Sequence, residues 1–298
     1  MVWRVLLFMV CGLLIAPGAS ALSPYVRGDQ LSCQGFPACV NSAEQKLKSA
    51  GFQILGVHYP RGLAQFAVIV VTDKAWLQTI RALGGSAIIG AGIRVGIKSD
   101  GSVSYINPDY LFRAYFQKKF EQQQRAVQIL NKRLAKTLGD HGQFGGDVPA
   151  VDLPKYRYMI GLERFDSDKT ILYTHANFEA ALKSVRQNLA KGINHTSKVY
   201  EVVIPEQKLA VFGVAMNGPV SGEHQWVKQN GTEHIAALPW EVFIVDGRVY
   251  ALYARYRTAL AWPALGLGEF MRIGDHPDSV QAMLTSVAGG RNQKTHAF

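Results

Sequence analysis

Arg248, Arg255 and Arg257 alternate along the chain with Tyr250, Tyr253 and Tyr256. Guanidinium forks beside phenol hydroxyls can hold a carboxylate or a sulfate-like anion, because both present donors in fixed directions. Read as a strand, the alternation puts Arg248, Tyr250 and Tyr256 on one face and Tyr253, Arg255 and Arg257 on the other. Two Glu-His pairs, Glu223-His224 and Glu233-His234, offer a second chemistry, with His276 between Asp275 and Asp278 as a third imidazole. His224 and His234 are the candidate metal ligands, although ten residues is not the four-residue helical spacing of a zincin. Cys33 and Cys39 flank Gly35 and Pro37, which favour a turn bringing the thiols together; a disulfide is expected, with a redox pair as the alternative.

Other signatures are missing. Gly84-Gly85 and Gly90-Ala91-Gly92 are followed by a strand pattern rather than a helix or a Lys-Ser/Thr pair, which excludes a phosphate-loop or dinucleotide reading. Ser86 has no Gly-x-Ser-x-Gly frame around it, so no serine nucleophile is assigned. No catalytic residue and no cofactor is expected from this pattern.

The N-terminus explains the setting in which these groups would act. Arg4 precedes an apolar run from Val5 to Ala16, and Ala19-Ser20-Ala21 follows with small residues. This is the pattern of a secretory signal peptide over residues 1–21, cleaved near Ala21. Its apolar part spans about 18 Å as a helix, short of a hydrocarbon core of about 30 Å. The mature protein is therefore expected to be secreted or periplasmic, where a disulfide persists and nucleic acid is not the expected partner.

Charge is distributed unevenly. The chain has 32 Lys and Arg against 22 Asp and Glu, a net +10. Seven of the basic residues and a single acidic one, Glu121, fall between Tyr110 and Leu138. Pro108 opens this segment, no further Gly or Pro interrupts it before Gly139, and Val127, Leu130, Leu134 and Leu138 repeat at helical spacing. One long helix is expected, its apolar stripe packed and Lys118, Lys119, Arg125, Lys132 and Lys136 facing outward. An acidic protein, a small anion or an anionic membrane surface would suit those charges.

The elements that must position these groups recur twice. Glu44-Gln-Lys-Leu-Lys-Ser49 returns as Glu179-Ala-Ala-Leu-Lys-Ser184, each within an amphipathic helical stretch. Branched apolar runs follow at Phe52–Val57 and Gln65–Val71, and again at Val199–Ile204 and Leu209–Met216. A second helical stretch (74–83; about 220–229) leads to a hairpin around Asp100-Gly101 or Asp246-Gly247. Asp-Gly suits a tight hairpin because Gly takes positive φ without a Cβ clash. Val71 lies 29 residues before Asp100 and Met216 lies 30 before Asp246. The expected fold is α+β: two duplicated two-layer modules, each an antiparallel sheet packed on helices, joined by the long helix. The modules would occupy 22–138 and 155–298, with 139–154 as the loop between them, a further strand at 155–165 and a last helix at 278–288.

The hairpin stretches Gly92-Ile-Arg-Val-Gly-Ile-Lys-Ser-Asp-Gly-Ser-Val-Ser-Tyr-Ile-Asn-Pro108 and Leu238-Pro-Trp-Glu-Val-Phe-Ile-Val-Asp-Gly-Arg-Val-Tyr250 carry a resemblance. They resemble domain-of-unknown-function family 302, a small α+β module found singly or in tandem, over about 40–117 and 172–271. Trp240 and Gly92-Ile93 stand where many single-module relatives have a cysteine, so the resemblance implies the fold and no thiol chemistry. The expected function is that of an exported non-enzymatic accessory or ligand-binding protein. The alternative is a redox-active or metal-binding protein using Cys33/Cys39 or His224/His234.

Overall fold

The structure of the protein, a computed structural model, describes residues 20–290 apart from 160, 220–221, 267, 270–273 and 275. The expected signal segment up to Ala19 therefore lies outside the described residues. No helix among the described residues is long and apolar enough to cross a membrane.

The first half runs β1 (Ala21–Leu22), β2 (Tyr25–Gln30), α1 (Phe36–Ser49), β3 (Gln53–His58), β4 (Phe66–Thr72), α2 (Lys74–Leu83), a 3-10 segment Gly85–Ala91, β5 (Ile93–Lys98) and β6 (Ser102–Ile106). Helices α3 (Pro108–Phe116) and α4 (Phe120–Leu138) follow, then the short strands β7 (Gln143–Phe144) and β8 (Val148–Pro149). The second half runs β9 (Ile171–Thr174), α5 (Phe178–Ala190), β10 (Thr196–Ile204), β11 (Leu209–Met216), α6 (Glu223–Asn230), a 3-10 segment Thr232–Ala237, β12 (Trp240–Val245), β13 (Arg248–Tyr250), α7 (Ala254–Ala261) and α8 (His276–Ala288). Every strand pairing is antiparallel. The protein is α+β, with antiparallel sheets packed against helices.

The two large sheets share one order over five strands, β3-β4-β5-β6-β2 and β10-β11-β12-β13-β9, with β7 added beyond β2 in the first. Asp100-Gly101 and Asp246-Gly247 turn between equivalent strands, β5 to β6 and β12 to β13. Even an irregularity recurs. The register slips between Ile54 and Gly56 against β4, and between Lys198 and Tyr200 against β11, at the same place in each hairpin. The residues just past the slip pair with Val70 and Gly213, which pair in turn with Arg94 and Glu241.

The halves also exchange contacts. The 3-10 segment 85–91 packs on β11 and β12, and the segment 232–237 packs on β4, β5 and β6. Glycine makes this approach feasible at two points. A Cβ on Gly56 would lie 2.2 Å from the Val199 carbonyl oxygen, and one on Gly96 would lie 2.4 Å from Ile235 Cγ2. Helices α1 and α5 each pack on the sheet of their own half.

Four local expectations need correction. The basic segment is two helices, because Gln117 takes φ 51° and breaks the chain between α3 and α4. The stripe Val127, Leu130, Leu134 and Leu138 is buried against α1, α2 and β2, so α4 covers the first half rather than spanning the two. Residues 155–165 hold no strand among those described; the added strand is β9, which pairs with β13. The loop 139–154 is partly built in, through β7 beside β2 and β8 beside β1.

Candidate functional site

The break at Gln117 is where the basic segment acquires a pocket. Asn107 caps α3, its side chain accepting from the Asp109 N–H, and Pro108 supplies a first-turn residue that needs no donor. Phe112 and Phe116 stack at 5.1 Å, and Trp76 lies 4.5 Å from Phe112 while its Nε1 donates to the Gly90 carbonyl at 2.8 Å. These rings anchor the last turns of α3, and the chain turns at Gln117, where φ is 51°. Lys118 and Lys119 emerge from the turn, both exposed.

They border a cleft of about 580 Å³. Its floor is aromatic: Tyr115 from α3, Tyr156, Phe165 and Tyr256 from α7. Phe165 lies 6.0 Å from Tyr115 and 6.4 Å from Tyr256, edge-on to the latter, while the Tyr156 hydroxyl donates to the Ala259 carbonyl at 2.8 Å. The rim carries Lys118, Lys119, Lys155 and Arg164 against one carboxylate, Asp166. Arg164 is 3.8 Å from Asp166, and Lys119 Nζ donates to the Leu83 carbonyl at 3.1 Å. Lys118 and Lys155 are exposed and have no ion-pair partner among the described residues.

The floor hydroxyls stay protonated. Burial raises the Tyr256 pKa well above the usual phenol value, with the neighbouring Tyr115, Tyr156 and Asp166 acting in the same direction. Burial also raises Tyr115, although Arg257 and Arg94 act to lower it. Such phenols donate hydrogen bonds and do not supply a phenolate nucleophile at neutral pH.

Behind Tyr115 lies the charged centre of the molecule. Arg94, Glu241 and Arg257 are each at most 3% exposed. Arg94 Nη1 donates to Glu241 Oε1, and its Nε donates to the Ala236 carbonyl at 3.0 Å. Arg257 donates from Nη2 to the Ala237 carbonyl at 2.5 Å and to Glu241 Oε2 at 3.3 Å. Two guanidiniums share one carboxylate, which leaves one buried positive charge in surplus.

The arginine–tyrosine cluster is not assembled as one face. Strand β13 ends at Tyr250 and Tyr253 immediately precedes α7, so the alternation read from the sequence stops there. Arg248 is exposed, and Tyr250 stacks on Phe243 at 5.2 Å. Arg255 is 3.5 Å from Asp278, and the Tyr253 hydroxyl meets the same carboxylate at 3.4 Å. Arg257 is committed to Glu241. Of the six, Tyr256 alone lines the cleft, together with Lys118 and Lys119. Arg125, Lys132 and Lys136 are exposed on α4, away from the cleft lining.

Family models, curated proteins and solved structures give no match. The chemistry must be read from the side chains themselves.

The histidines occupy different surroundings. His224 lies on α6 against Gly62, next to Glu223, whose Oε2 is 2.5 Å from His58 Nε2. His234 packs between Tyr25 and Trp262, with ring centroids at 4.9 and 5.6 Å. Among the described residues no group of three or more His, Cys, Asp or Glu could hold a metal ion. Cys33 and Cys39 stand at disulfide distance, their Cα atoms 5.1 Å apart. No sequence pattern grouped Tyr115, Tyr156, Phe165, Lys155 and Arg164, since they lie on separate segments with different local patterns.

Proposed function

We propose that the chain is an exported, non-enzymatic binding protein that takes a small organic anion with an aromatic or flat apolar body in the cleft between Lys118 and Tyr256. The observation that carries the reading is a phenol and phenyl floor under a rim holding four cations and one carboxylate. Aromatic rings take the body by edge and face contact, and the lysines attract the charge. A volume of about 580 Å³ suits a ligand of that size.

The common strand order, with its recurring register slip, supports a tandem duplication of a module of the family-302 kind. Export rests on the Arg4 to Ala21 pattern and agrees with the paired cysteines.

The test is thermal stabilisation of the mature protein by 4-hydroxybenzoate, with glycerol as an uncharged control, at low and at high salt. The expected result is an upward shift in Tm with 4-hydroxybenzoate that shrinks as salt rises, because exposed charges are screened. Lys118→Glu with Lys155→Glu should remove the shift, whereas Lys132→Glu with Lys136→Glu should leave it. Equal loss in both double variants would assign the charge to the α4 surface and to a larger acidic partner. No shift with the wild-type protein would sink the cleft reading.

A further inference from the structure

A second cavity, of about 400 Å³, lies on the first sheet beside the segment 232–237 of the second half. Strand register builds its floor. Ser104 of β6 stands directly opposite both Gly96 of β5 and Arg27 of β2, so these three point to one face. Ser102 and Lys98, each two residues along its strand, share that face with Arg94, whose bond to Glu241 marks it as the face turned toward the second half. Ile235 stands over Gly96, and Glu233, two residues earlier, reaches the same cavity.

The charges on this lining are kept apart. Arg27, Lys98 and Glu233 form no ion pair among the described residues. Arg27 lies over the Phe144 ring at 4.5 Å, which sets the plane of the guanidinium and leaves its N–H donors in that plane. Lys98 has Asp100 as an electrostatic neighbour, but that carboxylate accepts the Ser102 N–H at 2.8 Å and does not line the cavity. Gln30 is committed to Ser102 and the Asp100 carbonyl, and His141 to Asp29 at 2.9 Å. Two cations from the first half and one carboxylate from the second are left to meet a ligand.

That combination selects a molecule with both charges. A simple anion would meet Glu233 as well as the cations, and a simple cation would meet two positive charges. A zwitterion satisfies both sets, its carboxylate on the Arg27 fork and Lys98, its ammonium on Glu233. Phe144 adds apolar surface, and the volume suits a ligand no larger than a dipeptide.

We infer that this cavity is a binding site for a small zwitterion with a free amino and a free carboxylate group, an amino acid or a short peptide, held by Arg27 and Lys98 on one side and Glu233 on the other. It shares no lining residue with the anion cleft, so either can fail without the other.

The experiment is isothermal titration calorimetry of the mature protein at low salt with leucine, dileucine, N-acetylleucine and leucinamide. Saturable binding is expected with leucine or dileucine, and which of them binds separates a free amino acid from a peptide. N-acetylleucine lacks the ammonium and leucinamide the carboxylate, so each should bind at least about tenfold more weakly, the scale of a lost charge-assisted hydrogen bond. Glu233→Gln should weaken the zwitterion about tenfold and leave N-acetylleucine no weaker than before, a change of preference that a folding defect would not produce. Arg27→Leu with Lys98→Met should remove zwitterion binding. Four results overturn the inference: no saturable binding of leucine or dileucine; either single-charge probe binding as tightly as the zwitterion; zwitterion binding unchanged in Glu233→Gln; or its loss in Lys118→Glu with Lys155→Glu, which would place the ligand in the anion cleft.

Discussion

Arg94 and Glu241 occupy the same register position in the two sheets and are bonded to each other. Each lies two strands from its sheet's register slip, past Gly56 and Val70 in one and past Tyr200 and Gly213 in the other. The pair therefore sits where the two halves meet as equivalents, and Arg257 joins it from α7 as a third, unmatched charge. The first half supplies Arg94 and the second supplies both Glu241 and Arg257, so Arg94 meets a carboxylate only across the halves.

The ordering of mutational costs follows from that count. Glu241→Gln leaves two buried guanidiniums without a counter-charge and should cost about 3–5 kcal/mol. Arg94→Met leaves a balanced Glu241–Arg257 pair and should cost less. Urea unfolding of the two variants gives the order directly, and Arg94→Met proving the more damaging would contradict it.

Gly56 controls how closely the halves approach. Gly56→Ala places a Cβ 2.2 Å from the Val199 oxygen, a backbone atom that cannot swing aside. A loss of about 1–3 kcal/mol is expected from such overpacking. Amide exchange should accelerate in β10 around Val199 as well as in β3. Acceleration confined to β3 would show that the strain stays within its own hairpin.

His234 makes stability depend on pH. Its pKa is lowered from 6.5 to about 4 by burial, against the opposing effects of the Ala261 carbonyl and Glu233. Between those values the unfolded chain binds the proton that the folded protein excludes, so stability falls as pH drops from about 6.5 toward 4 and flattens below. Burial and His224 lower His276 in the same direction, adding to the slope. His234→Gln should flatten the Tm profile across this window; an unchanged slope would place the titration elsewhere.

The Cys33–Cys39 bridge should appear as one linked fragment in non-reducing peptide maps of the mature protein. Closing so short a loop contributes about 2 kcal/mol through the unfolded chain. Cys33→Ser with Cys39→Ser should lower stability by that order while leaving 4-hydroxybenzoate binding intact. Coupled loss of binding would tie the bridge to the cleft.

Much of the fold was written in local pattern. The stripe Val127, Leu130, Leu134 and Leu138 announced a helix with one buried face, and the branched runs announced strands β4 and β11, whose near-complete burial on both faces came only with the packing of the halves. The two Asp-Gly turns placed the hairpins, because a tight turn is a property of a few adjacent residues. Other features depended on distant neighbours. The alternation of Tyr and Arg from 248 to 257 suits a strand by period, yet Arg257 reaches Glu241 from a helix, because a buried guanidinium requires a carboxylate wherever the fold provides one. No Gly or Pro marked Gln117, where packing of Phe112 and Phe116 on Trp76 ends α3 and turns Lys118 toward Tyr256. Periodicity and turn chemistry are local, so the sequence alone determined most of the helices and strands and the buried stripe of α4. Arg94 and Glu241 are 147 residues apart, and pairing charges or closing a cleft over such separations is decided only when the halves pack.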